Sequence, residues 1–268
     1  MQVFPTLKLR HRLQRHWNPE ISFNLTDLHY SIQVARSREE VDEALRMRFE
    51  VFNLELKEGL DSSYLTFMDE DKYDEYFDHL IIRDTITNGV IGTYRVQTYE
   101  MARRGNGFYS DGEFCLEMLG RKILHNSLEL GRACILKEYR NTRVLYLLWK
   151  GIANYVLQAR KRYLFGCCSI TSQDSVEGNI LYNELVTKGH VDTSIDLLPR
   201  PGFELSDSYI DNTVEIPEMP PLMKMYFRYG AKIIGKPAID RDFKTIDYLV
   251  LLDFQKLSPE SFKMFLGQ

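Results

Sequence analysis

The sequence predicts one α/β (α+β) domain in which helices flank a mostly antiparallel central sheet. Three observations carry this. The 268 residues are 44% hydrophobic and 27% charged, a composition that closes a sizeable core. Helical three- and four-residue periodicity alternates with short runs rich in Val, Ile, Leu and Tyr, in the order helix, hairpin, strand, helix, strand, helix, strand. No repeat, low-complexity tract or clean linker interrupts that order.

Residues 1–29 form a basic amphipathic segment. "MQVFPTLKLRHRLQRHW" mixes Phe4, Leu7, Leu9, Leu13 and Trp17 with Lys8, Arg10, Arg12 and Arg15. Such a segment either lies on an anionic membrane surface or packs on its own domain. Ser37-Arg38-Glu39-Glu40 reads as a capping box, and Val41, Ala44, Leu45, Phe49, Phe52 and Leu56 extend a helix from Arg38 to Lys57. After an acidic loop, "HLIIRD" and "VIGTYRVQTY" flank Asn88-Gly89 as a β-hairpin. Ala102 to Gly112 reads as a loop. Leu128–Leu136 is a strand, Thr142–Arg162 a helix, "YLFGCCSI" a buried strand and "VEGNILYNELVTKG" a second helix. Five of the nine prolines fall between His190 and Pro221, marking an irregular insertion near 190–221. "LMKMYFRYGA" is a short helix stopped at Gly230, and "TIDYLVLLDF" a late strand. The main domain thus spans 30–257, followed by a tail at 258–268.

A net charge of −4 and a pI near 5.9 argue against a nucleic-acid partner. Cys115, Cys134, Cys167 and Cys168 have no metal-ligand spacing and read as reduced core thiols, so no metal is expected. No secretory signal is visible and apolar runs such as Val144–Trp149 are too short to span a bilayer, so a cytoplasmic location follows, peripheral to the inner membrane face if the first segment binds lipid.

Chemistry concentrates in three places. In the strand after Leu128, regular alternation puts Glu129 and Gly131 on one face, Leu130 and Arg132 on the other. A glutamate inside an apolar strand is either a base of raised pKa or half of a structural salt bridge. Gly131 marks a bulge or a close approach by a ligand. At the helix mouth, Arg140, Asn141, Thr142 and Arg143 suit one phosphate, or else form a solvated, Thr-capped start. The acidic loop, Asp69, Glu70, Asp71, Asp74 and Asp78, fails the calcium-loop pattern, since its sixth position is Asp74 and its twelfth Leu80. It either binds a cationic amine or is solvated. His79 alone reads as structural.

"LELGRACILKEYRNTRVLYLLWKGIANYV" followed by "LFGCCSI" resembles the GNAT superfamily. More narrowly it is similar to the branch of ornithine-acyl carrier protein N-acyltransferases, often labelled hemolysin-like, whose cousins are the acyl-homoserine lactone synthases. "LRMRFEVF", "DEDKYDEYFDHLIIRD", "VIGTYRV", "YSDGEFCLE" and "PPLMKMYFRYGAKIIGKPAIDRDFKTIDYLVLLD" resemble family blocks in order, covering Tyr30 to Leu257. The resemblance implies transfer of a fatty acyl chain from acyl carrier protein to the amine of a small molecule. It makes Glu129 the base, with Arg132 in the Glu-x-x-Arg pattern, and assigns Arg95, Asp71 and Asp74 to the amine site. Many GNAT enzymes nest a coenzyme A diphosphate on glycines at the helix mouth, whereas "YRNTRVLY" has none. Arg140, Thr142 and Arg143 are therefore assigned to the single phosphate of phosphopantetheine, with acyl-phosphopantetheine or acyl-CoA as co-substrate and no tightly bound cofactor. Lys137, Lys150, Arg121 and Lys122 would complete a basic patch for an acidic carrier. An acyl-CoA-dependent acetyltransferase, a lactone-type signal synthase and a non-catalytic acyl-carrier or lipid-binding module are the alternatives.

Overall fold

The computed structural model describes residue 19 and residues 21–206 and 215–266. The basic run at 1–18 lies outside them. Nine strands form one sheet: β1 (Asn24–Asp27), β2 (Tyr30–Val34), β3 (Asp78–Asp84), β4 (Val90–Thr98), β5 (Ser127–Ile135), β6 (Tyr163–Ile170), β7 (Lys232–Ile233), β8 (Ala238–Asp240) and β9 (Thr245–Asp253). Their order is β1-β2-β3-β4-β5-β6-β9-β7, with β8 also on β9, and every pairing is antiparallel except β5 with β6. The mostly antiparallel α/β architecture is thus as the sequence predicts. β1 and β2 are additions, because their short, half-exposed runs give little alternation to read.

The helix after Ser37 is shorter than its periodicity suggests. α1 (Arg38–Phe49) is capped by Ser37, whose hydroxyl accepts the Glu40 N–H. Glu40 reaches back one residue beyond the expected partner, to Arg36 N–H. From Glu50 to Glu55 the chain winds as a π-helix, and Leu56 N–H bonds Val51 C=O five residues back. A π-turn rotates the side chains that follow it, and here Phe52 and Leu56 face a cavity. The stretch read as a loop from Ala102 begins inside α2 (Tyr99–Arg104), capped by Thr98. α3 (Gly120–His125) precedes β5.

α4 (Thr142–Ala159) presses Val144, Leu147, Leu148, Trp149, Ile152 and Val156 onto the sheet face carrying Leu80, Tyr94, Val96 and Leu130. α1 covers the opposite face through Val41, Ala44 and Leu45 against Ile81. α5 (Ser175–Thr187) follows β6. The residues described between 190 and 221 are largely irregular but tied down, with Leu197 fully buried. α6 (Pro221–Arg228) stops before Gly230, whose φ of 84° is left-handed. α7 (Pro259–Leu266) is helical where the sequence suggests only a tail, and Phe265 stacks on Trp149 of α4.

Candidate active site

β5 and β6 pair at only three positions, Ser127↔Tyr163, Leu128↔Leu164 and Glu129↔Phe165. Beyond Glu129 the two strands part. Gly166 permits their last close approach: a Cβ there would stand 2.2 Å from Leu130 C=O. The gap opens a cavity of about 660 Å³ that reaches both faces of the sheet. One end is polar, with Glu129, Arg95, Arg132, Glu58 and Asp247; the other is apolar, with Tyr94, Leu130, Leu145, Leu148, Leu222 and Met223. The start of α4, with Arg140, Asn141 and Thr142, lines it as well.

Glu129 is 1% exposed and its partners are not arginines, which removes the salt-bridge reading. Oε1 accepts the Ser110 N–H at 2.7 Å and the Ser110 hydroxyl at 2.7 Å, and Oε2 accepts the Tyr109 N–H at 2.8 Å. Burial raises its pKa, and these donors only partly oppose the rise.

Regular alternation would place Arg132 on the far face from Glu129. The structure corrects this. Arg95 pairs with Gly131 and Thr93 with Cys134, so β5 spends two residues where β4 spends one. This β-bulge holds Arg132 at φ 55° and returns its side chain to the Glu129 face. There its guanidinium lies 4.0 Å from the Phe243 ring and 4.9 Å from the Tyr109 ring. Arg132 Nη2 bonds Asp71 at 3.4 Å. Arg95 Nη1 donates to Asp71 at 2.8 Å and to Asp74 at 2.9 Å. The three residues assigned to the amine site therefore meet, with Arg132, but as a closed ion network rather than as open carboxylates. Sequence reasoning missed Arg48 and counted Asp69 only within an acidic run; Arg48 donates to Asp69 at 2.8 Å and Asp74 at 2.7 Å. Burial would raise the Asp74 carboxyl, but Arg48 and Arg95 hold it well below the usual range. His79, whose Nε2 lies 3.1 Å from Asp74 C=O, is pulled down to about 4 by burial and is structural.

The helix mouth differs from expectation. Asn141, not Thr142, caps α4, accepting the Val144 N–H at 3.0 Å. Arg140 forks onto Glu55 with two bonds of 2.6 Å, and Arg143 turns to Asp27 at 3.5 Å. Arg140 and Thr142 line the cavity, whereas Arg143 does not. Lys122 sits with Arg160, Lys161 and Arg162 around the other end of α4, apart from the helix mouth.

A second acidic group escaped the sequence because its members come from distant segments. Glu113, Cys167 and Asp247 place their polar atoms within 4.8 Å of one another. Burial and repulsion from Asp247 and Asp240 push Glu113 well above the carboxylate range, burial and Asp240 raise Asp247, and burial lifts the Cys167 thiol, so Glu113 and Asp247 favour sharing a proton.

A sheet that parts at its one parallel ladder, beside the first turn of a helix, is the architecture of a GNAT-type acyltransferase. Residues 47–150 match a family model described as an acetyltransferase (GNAT) domain. The L-ornithine N(alpha)-acyltransferase of Rhizobium meliloti is 31% identical over 245 residues, 84% of this chain and 80% of that protein. The enzyme of the same name from Brucella abortus is 31% identical over 249 residues, 85% of each. In fold, the chain is similar to the AHL synthase LasI, with a TM-score of 0.50 at 14% identity, covering 89% of this chain and 95% of that one. The chain belongs to the L-ornithine N(alpha)-acyltransferase family and is an N-acyltransferase.

Among the described residues no helix is long and apolar enough to cross a membrane.

Proposed function

We propose that the chain moves a fatty acyl group from acyl carrier protein to the α-amine of an amino acid, ornithine being the acceptor named for its relatives. The observation that carries this reading is the cavity that crosses the sheet at Glu129. Its apolar end suits a hydrocarbon chain, its polar end an amino acid, and the thioester would lie in the gap between. Glu129 takes a proton from the ammonium, because a protonated amine cannot attack. The amine nitrogen then bonds the thioester carbon, the C–S bond breaks, and the thiolate leaves with a proton. Past Glu129 the β5 backbone has no ladder partner on the β6 side, so its N–H groups are suited to the developing oxyanion.

Acyl carrier protein is favoured as donor by the helix mouth. Arg140, Asn141 and Thr142 bring side chains where a diphosphate would need bare backbone, while the first turn of α4 suits one phosphate, for which Arg140 would exchange its Glu55 partner. Lys137 and Arg140 are exposed there and would meet an acidic carrier. Each exposed pair contributes about 1 kcal/mol or less, so carrier use is expected to fall with salt.

Purified chain given ornithine with acyl carrier protein thioester or acyl-CoA, read by mass spectrometry, tests the proposal. N-acyl ornithine is expected, made faster from the carrier at low salt. Equal or better use of acyl-CoA at every salt concentration would reject the carrier. Glu129→Gln is expected to keep the fold and lose roughly 10²–10⁴-fold in turnover. Full turnover by the folded variant would remove Glu129 from the base role.

A further inference from the structure

We infer that the polar end of the cavity clamps the acceptor as a dipolar ion, with its α-carboxylate on Arg95 and a side-chain ammonium on Asp247 and Glu58, so that these three residues set the choice of a diamino acid over its one-charge analogues. This rests on the acyl-transfer reading above and assigns the two contacts that select its acceptor.

The first observation is an unspent guanidinium edge. Arg95 is 1% exposed and uses only Nη1, on Asp71 and Asp74. Its Nε and Nη2 are buried and reach no acceptor. A Cβ at Gly131 would lie 3.3 Å from that Nε and 4.0 Å from Nη2, so this edge faces the cavity wall where the chain has no side chain. Phe77 and Tyr109 pack near the guanidinium, with ring centroids 4.6 Å and 5.3 Å away. A fixed pair of parallel N–H donors matches a carboxylate. Leaving them unpaired in a buried site is costly, which points to a ligand anion.

The second observation stands in the same cavity. Asp247 and Glu58 line it and are 3% and 7% exposed. Glu113 and Asp240 lie behind them, likewise buried. Their partners are neutral or are each other: Thr245 on Asp247 at 2.8 Å, Thr171 on Glu58 at 3.4 Å, Tyr109 at 3.0 Å and the Asp242 and Phe243 N–H groups on Asp240, Cys167 on Glu113 at 3.8 Å, and a hydrogen bond between Glu113 and Asp247. Among the described residues no lysine or arginine forms an ion pair with any of the four. The contrast with Asp71 and Asp74, each held by guanidinium, is direct. Burial and Asp247 together push Glu58 up to about 7, and a cation arriving there would draw it back. Buried acids without a paired protein cation hold a proton while the site is empty and can exchange it for a cation that arrives.

One amino acid satisfies both ends only if it carries a carboxylate and a second amine. Norvaline would leave the acids unpaired and putrescine would leave the Arg95 edge unpaired. The wild-type enzyme is therefore expected to favour ornithine over each, in kcat/KM, by roughly ten- to a hundredfold. Glu58→Gln with Asp247→Asn is expected to collapse the ornithine-to-norvaline ratio while the ornithine-to-putrescine ratio persists. Arg95→Lys is expected to do the reverse. Should a variant fail to fold, thermal protection of the wild type decides: ornithine should raise its midpoint at concentrations roughly ten- to a hundredfold lower than norvaline needs for the same shift, and equal protection by both would overturn the clamp. A wild-type enzyme that acylates ornithine and norvaline equally would overturn the clamp and leave acyl transfer standing. One that acylates no amino acid would overturn the acyl-transfer reading itself.

Discussion

Glu129 is pulled in two directions, since burial lifts its pKa while three donors from Tyr109 and Ser110 lower it, and burial wins. A base works only when deprotonated, so kcat/KM is expected to fall on the acid side with an apparent pKa above the ordinary 4.5. A pH–rate profile checks this, and an acid limb at or below that value would deny the raised pKa. His79 gives a stability prediction of opposite origin. Its folded pKa is about 4 against 6.5 in the open chain, so the unfolded state takes up the proton first as pH falls. The contribution is therefore full above pH 6.5 and is lost as pH drops toward about 4. Its size is about 3 kcal/mol, since each tenfold change in proton affinity is worth about 1.4 kcal/mol. Denaturant melts of wild type and His79→Gln across that window test it, the difference between them shrinking with acid.

At the element scale, α1 and the β3–β4 hairpin were readable because their signals are local: Ser37 with Glu40, and Asn88 before Gly89. α4, β6 and β9 declared themselves by long apolar runs. What stayed hidden depends on partners far along the chain. The π-turn after Phe49 lets Asn53 pack over Gly59, and Asn53 donates to Leu60 C=O. The bulge at Arg132 exists only in register with β4, yet it turns Glu-x-x-Arg from a two-face pattern into a one-face one. The resemblance brought Glu129, Arg132, Arg95, Asp71 and Asp74 to one place, and nothing local could show Arg48 beneath them. The Asp247 wall needed four separate segments to assemble. Gly166 offers a test at this scale. Alanine there would put its Cβ against backbone, which cannot rotate away, so β5 and β6 must separate. Gly166→Ala is expected to cost about 1–3 kcal/mol in stability. A melt matching wild type would mean the strands have slack to spare.

Over the whole molecule, the sheet joins two unequal runs of chain. β1 to β5 form a meander in which each strand pairs with its sequence neighbour. β6 instead pairs along its full length with β9, from Tyr163↔Asp253 to Ile170↔Ile246. Between the two stands only the three-residue parallel ladder. The gap beyond that ladder makes room for substrate, and it also marks a seam in how the chain comes together. Short-range hairpins close with little loss of loop entropy, whereas β6 must wait for a partner about eighty residues downstream. The meander is expected to organise first and the β6–β9 pair to dock afterwards across α4. Native-state hydrogen exchange in rising denaturant should then resolve two groups of amides, β3–β4 outlasting β6–β9. One shared isotherm for both would make the molecule a single cooperative unit. The two walls of the substrate cavity, β5 on one side and β6 on the other, thus belong to parts of different endurance, and the enzyme is expected to lose its active site before it loses its fold.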